Sequence, residues 1–142
     1  MLSGAPPRAC DRLAGRTVLV VEDEPFIALD LADAVEQAGG RVVGPAMSVS
    51  EALTLIEAHP IDAAILDFNL IDGDATPIIR RLASMSAPFV LHTGASVAAT
   101  PEMGPGIRAG ALRIFRKPTM PETLTQAVAT MVAGGATGAG GA

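Results

Sequence analysis

Hydrophobic residues in this chain fall into short unbroken runs, separated by stretches in which they recur every three or four positions. TVLVV (17–21) is a β-branched run that suits a buried strand. Pro25, after Asp23 and Glu24, marks a helix start. Ile27, Leu31, Ala34, Val35 and Ala38 then recur at helical spacing, with Asp30, Asp33, Glu36 and Gln37 opposite, until Gly39 and Gly40 end the pattern. The alternation repeats. RVVGPA (41–46) predicts a second strand, and SVSE (48–51) a capping box that opens a helix through Leu53 and Ile56, stopping before Pro60. IDAAIL (61–66) predicts a third strand, and Thr76 with Pro77 opens a helix through Ile79 and Leu82. PFVLH (88–92) and LRIF (112–115) predict two more strands, with a fourth helix between them that Pro101, Gly104, Pro105 and Gly106 leave short or frayed. Thr119 to Glu122 predict a second capping box before a last helix striped by Leu124, Val128, Met131 and Val132.

Strands alternating with helices at this spacing imply a parallel sheet covered on both faces, a doubly wound three-layer α/β domain of five strand–helix units. The domain should span 16–133, between a loose arm (1–15) and a flexible Gly/Ala tail (134–142). Ligands of such sheets bind beyond the carboxyl ends of the strands. Glu22, Asp23 and Glu24 follow strand one, Asp67 and Asn69 strand three, Thr93 and Gly94 strand four, and Lys117 and Pro118 strand five. Crowded carboxylates repel unless a cation intervenes, and hard oxygen ligands suit Mg²⁺. An aspartate beside such an ion can attack phosphorus, with the hydroxyl and the ammonium holding phosphoryl oxygens.

Composition narrows the choice. The net charge is −5, and the ten basic residues form no dense run, which excludes nucleic acid as the main partner. Cys10 stands alone, so no disulfide framework exists, and a reducing cytoplasm is expected. No run approaches the ~18 apolar residues of a membrane span, and MLSGAPPRACDRLAG lacks an apolar signal core. Lys117 is the single lysine against nine arginines, a compact point charge facing the acidic rim.

VLVVEDEP, ILDFNLIDGD, PFVLHTG and RKP, in this order and spacing, resemble the receiver domain of two-component response regulators over about residues 16–133. The resemblance implies a flavodoxin-like (βα)5 fold with strand order 2-1-3-4-5. It makes Asp67 the phosphoacceptor, with Mg²⁺ (or Mn²⁺) held by Asp23, Asp67 and the Asn69 carbonyl, and by Glu22 through water. Thr93 and Lys117 would contact the phosphoryl group, with Asn69 and Gly94 beside it, and the Lys117–Pro118 bond would be cis. PFVLHTG also resembles a subgroup with a Pro-Phe-x-Phe-Ala-Thr-Gly strand-four signature, in which His92 here replaces the alanine. That subgroup lacks the aromatic three residues before the lysine, here Ile114, and is associated with HWE-type histidine kinases. The implied partners are a histidine kinase and a downstream protein or histidine phosphotransferase. The resemblance implies a phosphoacceptor and not an enzyme in the usual sense, while the broken fourth helix makes a monomer the expected state, in the cytoplasm. The segment 94–111 is expected to order on phosphorylation. Asn69 and Ala95, which influence attack by water, predict an intermediate phosphoryl lifetime.

Simpler readings exist for most of these residues. DFNLIDGD is not a calcium loop, because Ile71 and Ile78 stand where oxygen ligands belong. Glu24 reads as a helix-start carboxylate, His59 as a helix-end residue and Cys10 as incidental. His92 reads as packing, since adjacent strand residues face opposite ways and it cannot share Thr93's direction. Only nine mostly small residues follow the last helix, so output is expected through protein contact or onward phosphotransfer. Two alternatives compete. One is a small Mg²⁺-dependent phosphatase of the haloacid-dehalogenase type, disfavoured because Asn69 replaces the second acid. The other is a degenerate receiver that only binds partners.

Overall fold

The computed structural model describes residues 12–94, 103 and 110–141, with side chains described to residue 134. Five strands form one sheet: β1 (Thr17–Val21), β2 (Arg41–Ala46), β3 (Ala63–Leu66), β6 (Phe89–Thr93) and β7 (Leu112–Arg116). All pair in parallel in the order β2-β1-β3-β6-β7, the expected 2-1-3-4-5 counted over these five. A separate hairpin, β4 (Asn69–Leu70) and β5 (Gly73–Asp74), follows β3. The helices are α1 (Pro25–Gln37), α2 (Val49–Ala58), α3 (Thr76–Ser84) and α4 (Pro121–Gly141). Among the described residues no helix is long and apolar enough to cross a membrane.

The sheet divides the core by strand alternation. Leu19, Val21, Leu66 and Leu91 pack with α2 and α3, whereas Val18, Val20, Ile65 and Val90 pack with α1 and α4. A strand buried on both faces has no polar side, so AAIL reads as one continuous apolar run. Polar residues begin where the strands leave the core. Gly44, at φ +102°, sits where the register between β1 and β2 shifts, and a Cβ there would lie 2.7 Å from the Ala46 nitrogen. Both Gly44–Pro45 and Lys117–Pro118 are cis, the second as expected.

Local chemistry explains the helix starts, and it departs from the expected pattern in places. Ser48 caps α2 by accepting from the Glu51 amide at 3.0 Å, but Glu51 reaches back to the Met47 amide, one residue earlier than a capping box requires. Thr76 does not cap α3. Its amide donates to Asp74 Oδ1 at 2.9 Å, so the carboxylate does that work. The second capping box does not form as expected, because α4 begins at Pro121 and the Thr119 hydroxyl donates to the Arg116 carbonyl.

The chain ends also differ from expectation. Residues 1–11 lie outside those described, but the last part of the predicted arm is packed: Leu13 is fully buried, and its amide donates to the Ala38 carbonyl at 2.8 Å. A lone leucine among polar and small residues carries no periodic signal, so its burial was not readable. α4 continues to Gly141 through the predicted tail, since extending a formed helix costs less than starting one. The predicted fourth helix falls almost wholly outside the described residues; only Met103 is described there, buried against the α2/α3 side of the core.

Replacing Leu13 by alanine should therefore cost about 2–5 kcal/mol of stability, as for a buried core leucine. Urea unfolding of the variant checks this, and a loss near zero would mean the segment is loose after all.

Candidate functional site

The carboxyl ends of β1, β3, β6 and β7 bring the predicted residues together at one rim. Parallel registers put Val21 beside Leu66 and Leu66 beside Leu91, so Glu22 and Asp67 leave the sheet side by side, level with His92 in β6. Glu22 is 1% exposed and Asp67 6%. Lys117 reaches across from the end of β7. Its Nζ lies 3.1 Å from Glu22 Oε1, 3.2 Å from Oε2 and 3.2 Å from Asp67 Oδ2. The Lys117 amide donates to the Thr93 carbonyl at 2.8 Å, which ties the ends of β6 and β7 and fixes where the ammonium starts. Gly94 lies alongside: a Cβ there would meet the Lys117 side chain at 3.9 Å.

The ionisation of the group follows from this crowding. Burial pushes the Glu22 carboxyl up to about 7, with the Asp67 charge adding to the rise and the Glu24 amide and Lys117 opposing it. For Lys117, burial acts downward, but the Glu22 hydrogen bond and the nearby Asp67 and Glu22 charges more than offset it, so the ammonium is held above its ordinary value. Lys117 is thus a fixed positive charge. Glu22 is a carboxyl raised toward neutrality.

Glu22, Asp23 and Asp67 each offer an oxygen, and the three oxygens lie within 4.8 Å of one another. Glu22 Oε1 is near the ammonium but out of line for a hydrogen bond, a buried acceptor without a partner. A buried oxygen without a hydrogen bond beside two more carboxylates fits a hard divalent cation. Glu22 Oε2 accepts from the Glu24 amide at 3.1 Å, and Glu24 itself caps α1 by accepting from the Phe26 amide at 3.0 Å, the helix-start role expected for it.

The remaining predicted residues stand around this cluster. Asn69, two residues past Asp67, is exposed and opens β4 opposite Asp74. Thr93 is 1% exposed at the end of β6. His92 is buried on the face shared with Val90, toward α1 and α4, away from Thr93. Neither ring nitrogen has a hydrogen-bond partner, and burial, then the Lys117 charge, lowers its pKa, so it packs as a neutral ring.

Sequence reasoning missed the architecture of the loop after β3. Asp72, in the turn of the hairpin, accepts from the Val49 amide at 2.7 Å and the Ser50 amide at 3.1 Å, at the N-terminus of α2. The two turn residues are Ile71 and Asp72, so the Asp72–Gly73 pair stands one residue late for the usual hairpin signal. Nothing local signalled the bond to α2, because its partners lie more than twenty residues earlier.

Glu22 makes metal-free stability depend on pH. The folded state keeps the Glu22 proton to higher pH than the unfolded chain, so this contribution is complete below pH 4.5 and is lost as pH rises to about 7. The loss is on the order of 1–3 kcal/mol. Urea unfolding in chelator at pH 5 and pH 8 should show a larger drop for wild type than for Glu22→Gln, and equal drops would refute the assignment.

The family model of the response regulator receiver domain matches residues 18–129. The transcriptional regulatory protein PdtaR of Mycobacterium tuberculosis is 35% identical over 92 residues, 64% of this chain but only 45% of PdtaR, so the chain spans less than half the length of that relative. SdrG from Sphingomonas melonis is 34% identical with a TM-score of 0.67, covering 85% of this chain and 98% of that one. The non-phosphorylated HemR receiver domain from Leptospira biflexa is 25% identical with a TM-score of 0.68, covering 83% of this chain and 94% of its own. With the parallel sheet, the acidic rim and a family match over most of its length, the chain belongs to the response regulator receiver domain family.

Proposed function

We propose that this chain is a phosphorylatable receiver over residues 16–133, with Asp67 as the phosphoacceptor. The observation that carries the reading is the Lys117 ammonium poised between Glu22 and Asp67 at a buried strand end. Asp23, Asp67 and the Asn69 carbonyl would hold Mg²⁺ or Mn²⁺, with Glu22 acting through water. When bound, the ion supplies charge neutralisation for the incoming phosphoryl group. Asp67 contributes the attacking oxygen. A new O–P bond forms at the Asp67 carboxylate as the bond from phosphorus to the donor, a kinase histidine nitrogen, breaks. Lys117 pairs with phosphoryl oxygens, Thr93 donates its hydroxyl to another, and Asn69 and Gly94 line the site.

Signalling then runs through protein contact or onward transfer to a histidine phosphotransferase, in the cytoplasm and from a monomer. Exposed Phe26, Ile71 and Met120 support docking at this rim: they are 78%, 80% and 66% exposed on the segments that follow β1, β3 and β7. PFVLHTG motivates assignment to the Pro-Phe-x-Phe-Ala-Thr-Gly subgroup and to an HWE-type kinase. Ile114, 39% exposed on edge strand β7, would take the place of the inward-turning aromatic in that case.

Two experiments test the reading. Incubation with acetyl phosphate should label wild type with acid-labile phosphate only when Mg²⁺ is present, and Asp67→Asn should take up none; Mg²⁺-independent labelling, or labelling of Asp67→Asn, would sink it. Phe26→Ala with Met120→Ala should slow transfer from a cognate histidine kinase by about tenfold while acetyl phosphate labelling stays at the wild-type rate. Equal loss in both assays would show that the pair serves the chemistry and not docking.

A further inference from the structure

We infer that Asp72 is a positioning residue: by anchoring the β4–β5 hairpin to the N-terminus of α2, it sets the cation affinity of the acidic rim. The inference rests on the proposed cation site and extends it to a residue outside that site.

A hairpin with two residues in each strand does not hold its shape alone in water. This one carries Asn69 in its first strand, two residues from Asp67, so its geometry must come from anchors. Four are present. Leu70 is buried in the α2/α3 side of the core. The Ala75 amide donates to the Phe68 carbonyl at 2.7 Å and closes the base of the hairpin. Asp74 Oδ1 accepts from the Thr76 amide, which joins the second strand to the start of α3. Asp72 anchors the turn.

The Asp72 bonds differ from the others in reach and strength. Each carboxylate oxygen takes one amide, Oδ1 from Val49 and Oδ2 from Ser50, in the first turn of α2. An anion there also meets the positive end of the helix dipole. These amides, first the Val49 bond and then the Ser50 bond, hold the Asp72 carboxyl below its ordinary range. The tie crosses from the loop after β3 to the helix after β2. Without it, among the described residues, the turn keeps only the neighbouring anchors at Leu70, Ala75 and Asp74, and the Asn69 backbone is held less firmly relative to Asp67.

Ser48 provides the control. It caps the same helix from within the chain, through the Glu51 amide, and among the described residues its side chain makes no hydrogen bond to the hairpin. Losing Ser48 weakens α2, whereas losing Asp72 weakens α2 and loosens the hairpin. A merely structural role for Asp72 therefore predicts that the two variants behave alike.

The test is Mg²⁺ binding to the unphosphorylated protein by calorimetry, for wild type, Asp72→Ala, Asp72→Asn and Ser48→Ala, with urea unfolding and amide exchange of residues 68–75 for each. Asp72→Ala should bind Mg²⁺ about tenfold more weakly, as when a group supporting a ligand is removed, with faster exchange at 69–74. Asp72→Asn keeps one acceptor oxygen and should fall between, and it serves if the alanine variant does not fold. Ser48→Ala should keep wild-type Mg²⁺ affinity despite its lost stability. Wild-type affinity in Asp72→Ala, or an equal loss in Ser48→Ala, overturns the inference. Wild type that binds no Mg²⁺ overturns the cation site itself, and the inference falls with it.

Discussion

A carboxylate almost sealed from water at the end of a strand needs a positive charge within reach, and here one ammonium serves two of them. Lys117 lies within 3.2 Å of both Glu22 and Asp67, and its own backbone is bonded to the end of β6. Removing one partner from a buried ion pair leaves an uncompensated charge, which costs far more than the pair contributes. That requirement fixes the relative heights of β1, β3, β6 and β7. A one-residue slip in any of them would take a carboxylate or the ammonium out of range.

The segment after β3 meets a second constraint. It has to leave the sheet, turn back on itself and enter α3 within nine residues, with little apolar surface to hold it. Carboxylates solve this by capping helices to either side, Asp72 on α2 and Asp74 on α3. The loop borrows the rigidity of two helices. α2 and α3 in turn pack against one side of the sheet, so loop, helices and strand β3 form one connected body.

The sequence carried the strand ends clearly because a doubly covered sheet forces unbroken apolar runs that stop abruptly at polar residues, as AAIL does at Asp67. Glu22, Asp23, Asp67, Thr93 and Lys117 were legible for that reason. The Ser48 cap was legible as well, since its partner is three residues away. What stayed hidden depends on contacts distant in sequence or on residues without a pattern. Asp72 looks like an ordinary turn aspartate until α2 is placed beside it. Leu13 is one apolar residue in a polar setting, with Ala38 as its distant backbone partner. At the start of α4 the pattern misled, because Pro121 takes the first helical position and leaves Thr119 outside the helix.

Lys117 also sets an order of events. Three carboxylates against one ammonium leave the rim with a formal charge of −2, eased as Glu22 takes up a proton near neutrality. A phosphoryl donor is itself a dianion, and it approaches such a surface against repulsion. A bound divalent cation would cancel that excess. In the proposed reading the rim would act as an interlock: the lysine alone holds its two carboxylates together, and the site would open to phosphoryl donors in step with the free cation concentration around it.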